Sequence, residues 1–290
     1  MPATYHDLYM DARRALKQAG VESAALEARE LVCCAADKNK EEFLRDGRLY
    51  ASAEIEQKAQ ALLARRMAGE PVAYLVGEWE FFGLPLSITS DVLIPRDDTQ
   101  VLAEQAIAAV RQWDDDTARV LDLCTGSGCV GLAIASRAEH CRVVLADQSE
   151  AALRVARTNV RLNHLQNRTA VMQADALATP PPKFDGFCCI ASNPPYIPTG
   201  DIAGLDVSVK DYEPHMALDG GADGLDFYRA IAKHWKRALL PGGRLLFELG
   251  IGQADAVMRL MRGEGFGDLE LFEDTQGIPR VISGKLYTEI

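Results

Sequence analysis

The sequence predicts an α/β fold in which a doubly wound, mostly parallel sheet follows a small helical bundle. Up to about residue 70, apolar side chains recur at helical spacing. After about residue 97, short apolar strands alternate with helices, which is typical of a parallel sheet covered by helices. Strand-like segments with glycines between them join the two parts. We therefore expect a bundle at residues 1–71, a β-hairpin linker at 72–96 and an α/β domain at 97–290.

Four helical runs predict the bundle. Gly20 ends the first run, and Ser52 is suited to cap the fourth, whose first turn carries acids that favour the helix dipole. The bundle has no chemistry of its own, so it is either structural or a docking module for the substrate. We adopt docking as the hypothesis. The strand-like segments after it are Val72–Val76 and Leu86–Thr89, which we interpret as the hairpin.

The α/β domain is predicted from its alternating pattern, and Pro241-Gly-Gly243 is expected to end the helix before the fifth strand. Ligands in such sheets bind beyond the carboxyl ends of the strands. The Asp114-Asp-Asp116 run is interpreted as a solvated loop. The predicted strands are 120–124, 142–146, 169–173, 184–191, 244–248, 269–272 and 280–283, and the predicted helices are 129–138, 151–163, 225–240 and 254–264.

Composition excludes several classes of protein. The net charge of −11 argues against broad attraction to phosphate backbones. No apolar run is long enough for a membrane span, and the N-terminus does not resemble a signal peptide. The seven cysteines have neither disulfide nor metal-site spacing, so we expect reduced thiols in the cytoplasm. The scattered histidines predict no metal site.

A glycine-rich turn, Thr125-Gly-Ser-Gly128, follows the first strand and opens a helix. Glycines let a backbone turn sharply and approach a ligand closely. Gly126, Gly128 and Gly131 also fit the dinucleotide-binding spacing, so the turn alone does not identify the cofactor.

Three acids narrow the choice of cofactor. Asp122 lies in the first strand, Asp147 ends the second, and Asp175 follows the third. Asp147 is placed to accept ribose hydroxyls, and Asp175 is placed to accept an adenine amine. Each acid alone could be a cap or turn residue. Together they favour S-adenosylmethionine, whose cation tolerates Asp122 better than a pyrophosphate would.

The segment Ser192-Asn-Pro-Pro-Tyr196 ends the fourth strand. Its prolines have no N–H and fix φ, so the turn is stiff and its carbonyls only accept. Asn193 adds a side-chain carbonyl, and Tyr196 adds a flat ring. Such a site suits a planar NH₂ group, either an amide or the exocyclic amine of a base.

With these motifs the chain resembles the class-I S-adenosylmethionine-dependent methyltransferases, and among them the protein-(glutamine-N5) methyltransferases that modify peptide chain release factors. The resemblance covers nearly the whole chain. It rests on Gly69–Gly77, Glu80–Leu84, Val92–Arg96, Asp122–Gly128, Asn193–Tyr196 and Gly277–Arg280. It implies methyl transfer from S-adenosylmethionine, with S-adenosylhomocysteine as product, to the glutamine of a Gly-Gly-Gln motif.

The resemblance also implies site residues. Asn193, Pro194 and Tyr196 are the expected catalytic residues, with Asn193 Oδ1 and the Pro194 carbonyl accepting the hydrogens of the substrate amide. Pro195 and Arg96 join them in substrate binding, and Thr99, Phe81, Phe82 and Glu248 lie near the site without a firm role. The expected cofactor residues are Asp122, Cys124, Thr125, Gly126, Ser127, Gly128, Asp147, Asp175, Ala176 and Asn193.

Two departures from the family pattern keep alternatives open. The family usually has glycine where Cys124 stands, and its Pro-Arg-Pro-Glu-Thr-Glu reads Pro95-Arg-Asp-Asp-Thr-Gln100 here. The related enzymes that methylate a glutamine of a large-subunit ribosomal protein often carry a cysteine at the position of Cys124. Cys129 also resembles the pattern of those enzymes. Adenine-N6 methyltransferases share only Asn193–Tyr196. A Rossmann oxidoreductase and a non-catalytic binding protein fit less well. We expect a cytoplasmic monomer that acts on release factors and binds neither nucleic acid nor membrane.

Overall fold

The computed structural model describes residues 2–113 and 118–287. These residues form two units, of which the first comprises Met1–Glu78 with Asp206–Tyr212, and the second Trp79–Leu205 with Glu213–Ile290. The acidic run Asp114-Asp-Asp116 lies outside the described residues. Within those residues, no helix is both long and apolar enough to cross a membrane.

The first unit is helical, and three of its helices begin at residues whose side chains cap the first turn, including Ser52 as predicted. The Ser52 hydroxyl accepts the Ile55 N–H, while Thr4 and Asn39 each form a reciprocal capping box with an acid three residues later. The buried faces of these helices make the core of the unit. Its helices are α1 (Tyr5–Gln18), α2 (Ala24–Ala36), α3 (Lys40–Asp46), α4 (Ala53–Met67), α5 (Val72–Val76) and α9 (Val207–Lys210).

The predicted strand at Val72–Val76 is wrong, because this segment is helix α5. Its valines favour a strand by propensity, but local signals at both ends favour a helical turn. Pro71 precedes the first turn, and Gly77 ends the helix in the left-handed conformation with φ of 79°. Three of the five side chains are buried, so packing overrides the weak propensity.

A hairpin made of β1 (Glu78–Phe81) and β2 (Leu84–Ser87) contains the start of the second unit, and its first residue, Glu78, is the last of the first unit. Asn159 holds the end of β2, because its side chain accepts the Ser87 N–H at 2.6 Å and donates to the Ser87 carbonyl at 3.0 Å. The remaining helices are α6 (Thr99–Arg111), α7 (Cys129–Arg137), α8 (Glu150–Leu162), α10 (Asp226–His234) and α11 (Ala254–Gly263).

A seven-stranded sheet in the order β5-β4-β3-β6-β7-β9-β8 forms the centre of the second unit. The strands β3 to β7 run parallel, and β9 is antiparallel to β7 and β8. The central strand β6 is buried along its whole length, as expected for a parallel sheet covered on both faces. The predicted α/β fold is therefore confirmed. The strands are β3 (Arg119–Leu123), β4 (Arg142–Asp147), β5 (Thr169–Gln173), β6 (Phe187–Ser192), β7 (Leu239–Glu248), β8 (Phe266–Glu273) and β9 (Pro279–Leu286).

The prediction that Pro241-Gly-Gly243 ends the preceding helix is also wrong. The helix before it ends earlier, since α10 stops at His234 and a 3-10 turn covers Trp235–Ala238. The Pro-Gly-Gly segment lies inside β7, opposite an irregularity in the pairing with β6. Gly242 has φ of 81°, a conformation that a bulge tolerates only with glycine.

Candidate active site

A cavity opens at the carboxyl ends of β3, β4 and β6, where ligands of such sheets bind. It brings together residues from both predicted motifs, because these strands are neighbours in the sheet. Predicted site residues that line it are Arg96, Asp122, Cys124, Thr125, Gly126, Ser127, Asp147, Ala176, Asn193 and Pro195. Predicted residues that do not line it are Gly128, Asp175, Pro194 and Tyr196.

The glycine-rich turn has the left-handed backbone that its sequence predicts. Gly126 and Gly128 have φ of 53° and 86°. Cys124 precedes them with φ of 64°, a conformation that costs a non-glycine residue about 1 kcal/mol or more. The left-handed backbone explains why glycine suits this position. The turn ends where α7 begins, so the free N–H groups of the helix face the cavity end of the sheet.

Asp122 fastens the turn to α7. Its Oδ2 accepts the Thr125 hydroxyl at 2.5 Å and the Gly131 N–H at 2.8 Å. Burial raises the pKa of this carboxyl to about 6, and the two hydrogen bonds oppose the shift. One oxygen of Asp122 thus serves the loop, and the residue also lines the cavity.

Asp147 holds the other side of the turn. Its Oδ2 accepts the Gly126 N–H and its Oδ1 the Ser149 N–H, both at 2.9 Å. Burial raises the pKa of Asp147, and these N–H groups oppose the rise. A carboxylate oxygen can accept more than one hydrogen bond, so each oxygen of Asp147 keeps acceptor capacity for a ligand.

Asp175 is placed differently from Asp122 and Asp147. Its Oδ1 accepts the Leu177 N–H at 2.8 Å, which makes a local turn after β5. Its neighbours Ala174 and Ala176 line the cavity. The backbone of this segment therefore reaches the cavity, while the acid itself stays outside its lining.

The Asn193–Tyr196 turn follows β6 directly. Ser192 anchors the end of the strand, because its hydroxyl donates to the Leu123 carbonyl at 2.6 Å. Asn193 and Pro195 reach the cavity, and Asn193 Nδ2 lies 3.5 Å from the Thr99 hydroxyl. Tyr196 packs against the core, and burial raises its pKa to about 12.

Charged residues stand beside this turn. Arg96 lines the cavity and donates to the buried Glu213 at 2.5 Å. Glu213 Oε2 is buried without a hydrogen-bond partner in the described part of the chain, and burial raises the pKa of Glu213 against the effect of Arg96. Glu248 is 3% exposed and lies outside the lining. Burial raises the pKa of Glu248 to about 7, while Thr99 and Arg280 lower it.

The two phenylalanines of the hairpin do not line the cavity. Phe81 is buried, and Phe82 has φ of 56° with the Arg137 guanidinium over its ring at 5.5 Å. Sequence reasoning also missed several lining residues. Ser149 could have been found as the helix cap after β4, but the segment around Pro214 shows no periodic signal. The missed lining residues include Val92, Leu93, Gln148, Ser149, Pro214, Met216, Ala217 and Phe227.

Comparisons with known proteins show which domains the chain contains. Residues 7–77 match the family model described as the PrmC N-terminal domain, and residues 99–205 match the methyltransferase small domain. The hMettl16 catalytic domain, solved in complex with the MAT2A 3'UTR hairpin 6, superposes with a TM-score of 0.57 at 16% identity. The alignment covers 79% of this chain and 83% of that one, and it shows a shared fold. The predicted class-I methyltransferase fold is thereby confirmed.

Full-length relatives identify the family. The release factor glutamine methyltransferase of Geobacter sulfurreducens is 38% identical over 271 residues, which is 93% of each chain. That of Thermodesulfovibrio yellowstonii is 37% identical over 256 residues, covering 88% of this chain and 90% of that protein. Both alignments include the glycine-rich turn and most of the cavity. The chain therefore belongs to the release factor glutamine methyltransferase family.

Proposed function

We propose that this enzyme transfers the methyl group of S-adenosylmethionine to the side-chain N5 of the glutamine in the Gly-Gly-Gln motif of peptide chain release factors. The observation that carries the proposal is one cavity lined by both Asn193 and the glycine-rich turn. A methyl donor and a planar amide need such adjacent sites, because the methyl group passes directly from one to the other.

The residues at the turn fit the cofactor. Ser127 lines the cavity, and its Oγ is buried without a hydrogen-bond partner in the described part of the chain. A buried hydroxyl without a partner is costly, and a polar ligand would satisfy it. Asp147 offers its remaining acceptor capacity to ribose hydroxyls. When bound, the cofactor supplies an electrophilic methyl on a sulfonium. The residues that would hold it from the cavity lining are Asp122, Cys124, Thr125, Gly126, Ser127, Asp147, Ala176 and Asn193, and Gly128 and Asp175 would support it from outside the lining.

Asn193 Oδ1 and the Pro194 carbonyl form what we call the amide clamp, whose proposed task is to make a poor nucleophile react. An amide nitrogen is weakly nucleophilic because its lone pair is delocalised into the carbonyl. In this proposal Asn193 Oδ1, from the cavity lining, and the carbonyl of the adjacent Pro194, just outside it, would accept the two N–H hydrogens. These contacts would hold the nitrogen in line and stabilise the positive charge that develops on it. With the nitrogen so held, its lone pair would take the methyl group as the sulfonium is released as a neutral thioether, and the amide nitrogen would lose its extra proton afterwards, so no strong base is needed beside Asn193. Pro195, which lines the cavity, keeps the turn rigid, and Tyr196 would support the amide site from the core side of the turn.

Arg96 is proposed to bind the substrate beside the clamp. Its guanidinium lines the cavity and is held by Glu213, which leaves other N–H donors for carbonyls of the substrate loop. We propose that the helical bundle at residues 1–71 docks the rest of the release factor, with the segment at 72–96 as its linker to the catalytic domain at 97–290. A monomer acting in the cytoplasm suits such a substrate.

Mass spectrometry of a release factor incubated with this enzyme and S-adenosylmethionine tests the proposal. We expect one added methyl group on the glutamine of the Gly-Gly-Gln motif, and none when that glutamine is replaced by alanine. Asn193→Ala should still bind S-adenosylmethionine but lose most turnover. Methylation of only a ribosomal protein or a nucleic acid would overturn the assignment.

A further inference from the structure

One side chain holds the far end of the Asn193–Tyr196 turn. Gln253 Nε2 donates to the Tyr196 carbonyl at 2.9 Å and to the Gly224 carbonyl at 3.4 Å. Its Oε1 accepts the Gly250 N–H at 3.1 Å. The Tyr228 hydroxyl lies 3.3 Å from the same oxygen and shares its single proton with the Glu248 carbonyl, which is closer at 2.9 Å. Both ends of the amide are therefore used, and its orientation is fixed by donors on one side and acceptors on the other.

The packing around this contact leaves little room for the turn to move. A Cβ at Gly220 would lie 2.7 Å from the Tyr196 Cα, and one at Gly224 would lie 2.8 Å from Gln253 Nε2. The chain after Tyr196 also pairs with this loop, because the Ile197 carbonyl accepts the Gly220 N–H at 2.9 Å. Only glycines permit so close an approach.

The side chain of Gln253 does not cap the helix α11 that begins after it. Gln253 stands at the N-cap of α11, but its side chain makes no capping hydrogen bond. An ordinary N-cap residue would accept an N–H of the first turn. The Gln253 amide instead reaches across the sheet edge to a turn that is distant in sequence.

We infer that Gln253 is a positioning residue for methyl transfer. By holding the Tyr196 carbonyl, it keeps Asn193 of the amide clamp in the position that the substrate amide requires. This inference rests on the proposed function. Asn193 and Tyr196 belong to one proline-stiffened turn, so a shift at one end is transmitted to the other. Gln253 itself lies outside the cavity lining. A displacement of about 1 Å at reacting groups can cost roughly a hundredfold in rate.

Gln253→Glu is the sharpest variant, because it keeps the shape of the side chain and replaces the donor with an acceptor. Its carboxylate would face the Tyr196 and Gly224 carbonyls, and protonation would restore one donor. Tyr196 and Tyr228, which face this position, have pKa values raised by burial and stay neutral near neutral pH. Burial raises the pKa of Glu248 to about 7, so activities are compared as a ratio at each pH, and Gln253→Met, which adds no charge near Glu248, is measured over the same range.

We expect Gln253→Glu to lower kcat for release-factor methylation by about tenfold to a hundredfold at pH 8. The Kd for S-adenosylmethionine should stay within about twofold, and the ratio of variant to native kcat should rise as the pH falls to about 6. Gln253→Met removes the hydrogen bonds without adding a charge and should lose kcat with no recovery at low pH. If Gln253→Glu does not fold, Gln253→Met alone tests the positioning role of Gln253. Gln276→Glu, in an exposed turn of the same unit, is the matched control and should behave as native.

The outcomes separate this inference from the proposed function. If the native enzyme methylates no release factor, the proposed function fails. If the native enzyme is active and a folded Gln253→Glu or Gln253→Met keeps native kcat, the positioning role is wrong. Equal losses of cofactor binding and kcat would also overturn it, because they would indicate a general structural role.

Discussion

The hydroxyl of Thr99 lies 3.5 Å from Nδ2 of Asn193, where the first residue of α6 meets the end of β6. Thr99 has a single proton to donate, and its hydroxyl also lowers the pKa of Glu248 through a hydrogen bond. Because the Thr99 hydroxyl donates this proton to the Glu248 carboxyl, its oxygen accepts a hydrogen bond from Asn193 Nδ2. Asn193 Oδ1 is then the atom left to accept from a substrate amide, as methyl transfer requires.

Thr99→Val should therefore slow methyl transfer without weakening cofactor binding. The substitution keeps the buried shape but removes the acceptor for Asn193 Nδ2, a loss of about 1–3 kcal/mol for a polar group without its partner. We expect a roughly tenfold lower single-turnover rate and an unchanged Kd for S-adenosylmethionine. Thr158→Val, on the exposed side of α8, is the control. A native rate in Thr99→Val would mean that Asn193 is oriented by other groups.

Asp147→Asn should weaken cofactor binding more than it slows turnover at saturating cofactor. Both Asp147 oxygens accept backbone N–H groups, from Gly126 and Ser149. The NH₂ of an asparagine would face one of these donors and would also lose an acceptor for the ribose. We expect calorimetry to give a Kd for S-adenosylmethionine raised at least about tenfold.

Asp175→Asn is the comparison for Asp147→Asn. An asparagine oxygen can still accept the Leu177 N–H, so the local turn survives. Weaker cofactor binding in this variant would indicate contact between Asp175 and the adenine, as predicted from the sequence. Native binding in Asp147→Asn would contradict the role of Asp147.

The sheet could be predicted from the sequence because its signals are local. Buried parallel strands are continuous apolar runs, and each is followed by a helix with its own start and stop residues. The segment Val72–Val76 was mispredicted because propensity is a weak signal that packing overrides. The Pro241-Gly-Gly243 segment was mispredicted because a bulge inside a strand uses the same residues as a loop.

The site was only partly predictable, because the side chains that hold the Asn193–Tyr196 turn come from parts of the chain distant in sequence. The strand ends carrying Asp122, Asp147 and Asn193 were expected to meet, since topology places them at one edge of the sheet. The partners of the clamp, Thr99 and Gln253, come from helix termini far away in the chain, and no spacing rule connects them to Asn193. Thr99 was placed near the site only by the family resemblance, and no motif pointed to Gln253.

Gly131→Ala should destabilise the enzyme although alanine favours helices. A Cβ at Gly131 would overlap the Leu145 side chain and lie 2.9 Å from Asp122 Oδ2, the atom that holds the glycine-rich turn. We expect the free energy of unfolding to fall by about 1–3 kcal/mol in a urea titration, as for other overpacked cores.

Gly263→Ala is the matched helical control for Gly131→Ala. Gly263 is the last residue of α11, and a Cβ there meets no atom within 4 Å. This variant should be neutral or more stable by about 0.5–1 kcal/mol. Equal effects of the two substitutions would show that contact with Asp122 and Leu145 is unimportant.

Glu248→Gln should change how stability depends on pH. Burial raises the pKa of Glu248 from 4.5 to about 7, so between these values the folded protein binds more protons than the unfolded chain. The free energy of unfolding therefore falls as the pH rises through this window, by up to roughly 3 kcal/mol. Below about pH 4.5 the carboxyl is neutral in both states, and the penalty disappears.

Glutamine resembles the neutral carboxyl and carries no such penalty. Urea unfolding at about pH 5 and pH 8 should show Glu248→Gln gaining stability relative to the native enzyme as the pH rises. Asp122, whose pKa is raised to about 6, contributes with the same sign in both proteins and cancels in the difference. If the difference in stability is the same at both pH values, Glu248 is ionised in the folded enzyme throughout, and its interaction with Arg280 and Thr99 outweighs the cost of burial.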